Sequence, residues 1–135
     1  MARLAFWGTP GFAATILREL IDHCRSNGHL VEGVVCQPDR KKGRGQRVQA
    51  GPVKELALRH NLRLLQPETL RKGTVDGDVF FADFSALDVD IAVVAAYGRI
   101  VTPRLLQLPR RGFVNIHASL LPRWPALTRP TLSKI

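Results

Sequence analysis

Asn115 and His117 stand two residues apart in the run Phe113-Val114-Asn115-Ile116-His117, so in an extended chain their side chains leave on the same side. An amide beside an imidazole is a kit for acyl transfer. The amide donates a hydrogen bond to a developing oxyanion, and the imidazole does the same while handling a proton near neutral pH. The same two residues would equally serve to satisfy backbone groups in the turn that follows. Just downstream, Ala118-Ser119-Leu120-Leu121-Pro122 is a stiff, partly apolar stretch suited to lining a pocket for a flat ring system. A second set of candidates is electrostatic. Residues 40 to 47 place five cations, Arg40, Lys41, Lys42, Arg44 and Arg47, in eight positions. Outside this cluster residues 1–90 carry eight cations against 11 acids, so the cluster is either a local footprint for a polyanion such as nucleic acid or a solvated loop.

These groups need elements to position them. Arg3 to Trp7 is a short apolar run ending in Gly8-Thr9-Pro10-Gly11, after which Phe12, Ile16, Leu17, Leu20 and Ile21 recur at helical spacing to about His23. Strand, tight turn and helix follow, with Thr9 as N-cap and Pro10 in the first helical position. Asn27-Gly28 closes the helix, and Leu30 to Cys36 predicts a buried second strand, parallel to the first through a right-handed crossover. Gln37 to Gly51 is polar, lacks an apolar period and reads as a long loop, of the kind that is functional or disordered. A helix at Pro52–His60 and a weak third strand at Leu62–Leu65 come next. Residues 72–88 are ambiguous: Lys72-Gly73 and Asp76-Gly77 are turn signals, whereas Val79, Phe80, Phe84 and Leu87 fit a helical stripe. The unbroken apolar run Ile91–Ala96 predicts a parallel strand covered on both faces. Thr102–Leu106 predicts a short helix that Pro109 stops, and Phe113–His117 a fifth strand. This alternation specifies an α/β fold, an open, mostly parallel Rossmann-like sheet with helices on both faces. Ligands of such sheets bind at the carboxyl ends of the strands, where Asn115 and His117 fall.

Composition narrows the classes further. The chain has 135 residues, 45% hydrophobic and 23% charged, with a net charge of +9. That is about one domain at roughly 100–200 residues each, and too apolar for intrinsic disorder. The longest apolar run, Ile91–Tyr97, is far short of the ~20 residues that span a bilayer, and the amino terminus breaks too soon for a signal peptide. No membrane association is expected. Cys24 and Cys36 form neither a CxxC nor a Cys/His cluster, so no metal site and no disulfide scaffold are expected, and the setting reads as cytoplasmic. The turn at Gly8 and Gly11 holds no GK[ST] and no GxGxxG, which leaves a Walker or dinucleotide site unsupported.

Several motifs occur in the order found in one family: Gly8-Thr9-Pro10 with Phe12-Ala13, Gln37-Pro38-Asp39-Arg40, Gly43-Arg44-Gly45, Pro52-Val53-Lys54, Ala96-Tyr97-Gly98, and Asn115-Ile116-His117-Ala118-Ser119-Leu120-Leu121-Pro122-Arg123-Trp124. Residues 3 to 124 resemble the amino-terminal part of the methionyl-tRNA formyltransferases, least closely between Lys72 and Asp90. The Asn-x-His-x-Ser-Leu-Leu-Pro element is shared with other folate-dependent formyltransferases; the basic loop followed by Pro-Val-Lys is more specific to the tRNA-acting family. The resemblance implies transfer of a formyl group from 10-formyltetrahydrofolate, a co-substrate, to the α-amino group of initiator methionyl-tRNA in translation initiation, without a metal. It implies that Asn115 and His117 hold the oxyanion, with His117 also on the proton path. Ser119, Leu120, Leu121 and Pro122, with Ala96, Tyr97, Gly98 and the strand end from Ala95 to Val101, would cradle the folate. Arg40, Lys41, Lys42, Arg44 and Arg47 would reach the tRNA, with Gly43 and Gly45 allowing close backbone approach. A complete protein of this kind would be a monomer.

The pattern breaks in two places. Gly11 replaces an acid usual in the family's first turn. After Trp124 the family continues Arg-Gly-Ala-x-Pro and later supplies an Asp to the catalytic group, whereas here residues 125–135 diverge and no acid follows Asp90. Residues 1–124 therefore read as a partial formyltransferase domain, incomplete at the carboxyl end, and 125–135 as a divergent tail. The expected origin of the tail is a frameshift near codon 125: a GC-rich coding of Pro125–Pro130, read from its third base, would give Gly-Ala-Asp-Pro-Pro. The expected consequences are an unpaired edge on the fifth strand and very little formyl transfer. Competing expectations are a folate-dependent formyltransferase acting on an amino sugar or purine precursor, which the basic loop disfavours, and a non-catalytic RNA- or folate-binding remnant.

Overall fold

The structure is a computed structural model that describes residues 1–9, 11–42, 47–117 and 131–134; at 40–42, 47–49, 117 and 131–134 only the backbone is described. Its centre is a sheet of β1 (Arg3–Gly8), β2 (Leu30–Val35), β5 (Leu64–Leu65), β6 (Ile91–Ala95), β7 (Phe113–His117) and β8 (Thr131–Lys134), in the order β5-β2-β1-β6-β7-β8. The first five strands are parallel, and β8 runs antiparallel to β7. The chain moves outward from β1 to β2 to β5, then returns to place β6 against the other side of β1. That reversal puts a topological switch point between β1 and β6, with a crevice at their carboxyl ends.

Alternation along the strands builds two cores, one on each face. Ala5, Trp7, Ala92, Val94 and Phe113 point to one face and pack with Phe80, Phe84 and Leu87 of α3 (Val75–Leu87) and Leu105 of α4 (Pro103–Leu106). Phe6, Val34, Val93 and Ala95 point to the other, against Ala13, Leu17 and Ile21 of α1 (Phe12–Asn27) and Val53 and Leu56 of α2 (Pro52–Arg59). Helix α1 ends at Gly28, whose φ of 74° is left-handed, and His29 N–H donates to the Cys24 carbonyl at 2.9 Å. The ambiguous stretch 72–88 is helical from Val75. The Thr74 hydroxyl caps it by accepting from Gly77 N–H at 3.1 Å, and Asp76 and Asp78 in the first turn complement the helix dipole.

Four expectations change. Thr9 is not the N-cap of α1: the helix starts at Phe12 after Gly11, without a side-chain cap, and the Thr9 hydroxyl instead accepts from Gln37 N–H at 3.0 Å. Phe12 does not join the buried stripe, being 41% exposed in the first turn of α1; Ala13 and Ala14 are buried instead. The segment 37–51 is not a structureless loop, because Arg40–Lys42 (β3) pairs antiparallel with Arg47–Gln49 (β4). Nor is β7 left as a bare edge: Thr131–Lys134 pairs with it from Lys134 opposite Val114 to Thr131 opposite His117. The backbone of this tetrapeptide pairs with the N–H and C=O groups of that edge.

Candidate active site

A cleft of about 630 Å³ lies at the carboxyl ends of β6 and β7, lined by Phe12, Val94, residues Ala96 to Val101, Asn115 and Ile116. Its size falls in the range of ligand pockets, about 300–1,000 Å³. Two close approaches shape it. A Cβ on Gly8 would sit 2.6 Å from the Ala95 carbonyl and 2.9 Å from the Ala13 side chain, so glycine lets β1, β6 and α1 converge. Beyond β6 the chain turns at Ala96, where φ is 55°, and again at Gly98, where φ is 90°. A left-handed alanine stores strain of order 1–3 kcal/mol. The turn is held by Thr9 N–H, which donates to the Ala96 carbonyl at 3.2 Å.

Tyr97 forms the floor. It is 1% exposed, and burial pushes its phenol up to about 12, with the Arg99 cation pulling partly the other way. Arg99 is itself anchored by donating to the Pro67 carbonyl at 2.9 Å. Ile100, at 90% exposure, and Phe12 give the rim an apolar character. Asn115 is half-buried on β7, opposite Val94 on one side and Ser133 on the other.

The structure thus brings Ala96, Tyr97, Gly98 and Asn115 together around one cleft. The backbone of His117 ends β7 two residues beyond Asn115. Its side chain lies outside the described residues, as do Ser119, Leu120, Leu121 and Pro122 entirely. Arg40, Lys41, Lys42 and Arg47 lie on the strands of the β3–β4 hairpin, which leaves the carboxyl end of β2; their side chains, and Arg44 altogether, are outside the described residues. Phe12 and Ile116 are lining residues that the sequence reading did not assign to the site. Their apolar type marks them as core by default, and only their position at the strand ends reveals otherwise.

A polar network underlies the hairpin. Asp39 accepts from Lys54 Nζ at 2.7 Å and from Gln66 Nε2 at 2.9 Å, and these bonds hold its carboxyl below the usual range. Among the described residues no group of three or more His, Cys, Asp or Glu could hold a metal ion, and no helix is long and apolar enough to cross a membrane.

Residues 3–131 match the family described as formyl transferase. The chain belongs to that family. It is 51% identical over 122 residues to the methionyl-tRNA formyltransferase of Chromobacterium violaceum and 48% identical over 122 residues to that of Acinetobacter baylyi. In both cases the match covers 90% of this chain and 37% of the relative, so the chain spans little more than a third of those proteins' length. Among solved structures it resembles glycinamide ribonucleotide transformylase 1 from Symbiobacterium toebii, with a TM-score of 0.65 and 25% identity over 93% of this chain and 55% of that one. A formyltetrahydrofolate deformylase from Pseudomonas putida shares the fold, with a TM-score of 0.59 at 18% identity over 91% of this chain and 40% of that one. The Rossmann-like sheet is therefore the family's own scaffold.

Proposed function

We propose that this chain carries the formyl-transfer centre of a methionyl-tRNA formyltransferase, taking the formyl group of 10-formyltetrahydrofolate to the α-amino group of initiator methionyl-tRNA. The observation that carries the reading is the 51% identity to a methionyl-tRNA formyltransferase over a stretch that includes the cleft. The neighbouring transformylase fold supports the reaction class, and the basic hairpin favours tRNA over a purine precursor or an amino sugar.

In this reading the attacking amine adds to the formyl carbon, and the Asn115 amide donates to the oxyanion that forms. His117 shares that oxyanion and relays the proton the amine loses to N10 of the folate, whose bond to the formyl carbon breaks as the intermediate collapses to the formamide and tetrahydrofolate. Ala96, Tyr97, Gly98 and the strand end through Val101 hold the folate with Ser119, Leu120, Leu121 and Pro122. Arg40, Lys41, Lys42, Arg44 and Arg47 bind tRNA phosphates. The setting is cytoplasmic.

These 135 residues transfer formyl slowly on their own, because no acid follows Asp90 and Asp90 cannot serve. It sits at the amino ends of the strands, accepting from Arg3 N–H at 2.8 Å and from Arg110 at 2.9 Å, at the opposite end of the sheet from His117. By analogy with a hydrolase triad, loss of an orienting carboxylate costs on the order of 10⁴ in rate.

The test is single-turnover transfer with the chain in excess over charged tRNA, beside trypsin protection of residues 40–47. Protection by initiator methionyl-tRNA, relieved by salt, with slow transfer is the expected result. Protection by a nucleotide sugar or glycinamide ribonucleotide and none by tRNA would refute the reading, as would near-normal turnover for the proposed slowness.

A further inference from the structure

We propose that Gln37, Asp39, Lys54 and Gln66 form a positioning clamp that fixes the root of the basic hairpin against the floor of the cleft. The proposal rests on the reading of that hairpin as the tRNA contact. Asp39 immediately precedes β3 and divides its two carboxylate oxygens between partners, Lys54 Nζ at 2.7 Å and Gln66 Nε2 at 2.9 Å. The Gln66 amide also donates to the Gln37 carbonyl at 3.2 Å. Gln37 in turn donates through its backbone N–H to the Thr9 hydroxyl at 3.0 Å and through its side chain to the Tyr97 carbonyl at 2.7 Å. Gln37 and Asp39, on either side of Pro38, are therefore tied to α2, to the segment after β5, and to the carboxyl ends of β1 and β6.

This is more fastening than a surface loop needs. The Lys54 and Asp39 side chains are only 22% and 24% exposed, and an ion pair taken that far out of water returns little net stability. What it does supply is one geometry, because among the described residues each oxygen has one donor, Lys54 on α2 and Gln66 directly after β5. Val53 and Leu56, which flank Lys54 on α2, are buried. The clamp also touches the cleft directly. A Cβ on Gly98 would collide with the Gln37 amide nitrogen, so the hairpin root and the turn that lines the cleft share one volume. A shift of the hairpin is thereby transmitted to Tyr97 and Gly98 without passing through the core.

The test compares Asp39→Asn, Lys54→Met and Lys54→Arg in the 135-residue chain, reading the rate of trypsin cleavage within residues 40–47, the midpoint of thermal unfolding and the affinity for fluorescent initiator methionyl-tRNA. Asp39→Asn and Lys54→Met should speed cleavage by about five- to tenfold, the effect of losing one charge-assisted hydrogen bond, and weaken tRNA binding in parallel with only a small fall in the midpoint. Lys54→Arg, which keeps the charge and a donor, should restore both. Unchanged cleavage, unchanged tRNA affinity in a chain that binds tRNA, failure of Lys54→Arg to differ from Lys54→Met, or loss of folding in both charge-removing variants would each overturn the clamp. Faster cleavage in a chain whose wild type ignores tRNA would keep the clamp and discard the tRNA reading.

Discussion

The Trp7 ring meets the Tyr97 ring edge to face at a centroid distance of 5.1 Å, so the middle of the core is in direct contact with the floor of the cleft. Phe84 and Phe113 approach the same indole at 5.2 Å and Phe80 at 5.5 Å, each edge-on, the arrangement that aromatic quadrupoles favour. Trp7→Ala should cost about 3–5 kcal/mol in urea unfolding followed by circular dichroism. Trp7→Phe should cost distinctly less, because it keeps a ring and drops an indole N–H that has no partner among the described residues. Equal losses would contradict this packing.

Gly98→Ala meets two obstacles, a φ of 90° and the Gln37 amide. A residue with a Cβ in that backbone region costs of order 1–3 kcal/mol. The cost should fall when Gln37→Ala is added, because the collision is relieved while the backbone penalty remains. Stability measurements on the double-mutant cycle separate the two, and strict additivity would place the Gln37 side chain away from Gly98.

Neither described cysteine should behave as a reactive thiol. Cys36 is buried and pushed up to about 11, first by desolvation and then by the Asp39 carboxylate, and burial also raises Cys24. Iodoacetamide at pH 8 should label both in urea and neither quickly in the native state, since the thiolate is the nucleophile. Rapid native labelling at Cys36, read by peptide mass, would show that the end of β2 opens.

Acid should loosen the molecule only below the ordinary carboxylate range. Asp39 is held low by hydrogen bonds from Lys54 and Gln66, and Asp90 by the Arg3 N–H and then by Arg110. A carboxyl with a depressed native value binds fewer protons folded than unfolded, so its contribution is complete above the unfolded value of about 3.8 and is lost as pH falls through the native one. Unfolding free energy should therefore drop below about pH 4 through these two groups, and Asp90→Asn should flatten part of that drop. An unaltered acid limb in Asp90→Asn would show that Asp90 has the same affinity for protons folded and unfolded.

The elements that were legible in the sequence are those whose own residues enforce them. Ile91–Ala95 is apolar on both faces and became the strand covered on both faces; Gly28 ended α1 as its position after Asn27 predicts. Asn115 reached the strand-end cleft because the fold class alone fixes where such a residue goes. What stayed hidden depends on partners far along the chain. Thr9 reads as a cap until Gln37, 28 residues away, takes its hydroxyl. The β3–β4 hairpin has no apolar alternation to announce it, and its root is fixed by Lys54 and Gln66 rather than by its own residues. Phe12 fits a helical stripe by spacing, but the structure leaves it exposed at the cleft rather than in the core.

The clasp at the amino ends of the strands has an electrical consequence. Arg3 and Arg110 are absorbed there by Asp88, Asp90 and Glu32 and by the Asp88 and Leu87 carbonyls, so these two cations are already neutralised. The hairpin that carries Arg40, Lys41, Lys42 and Arg47 leaves from the other pole. In the tRNA reading proposed above, the field of the polyanion acts on these hairpin cations and turns that end forward before contact. Under that proposal recognition begins as an orientation in solution, at a distance of about one Debye length, and so should be lost in association rate before it is lost in affinity as salt is raised.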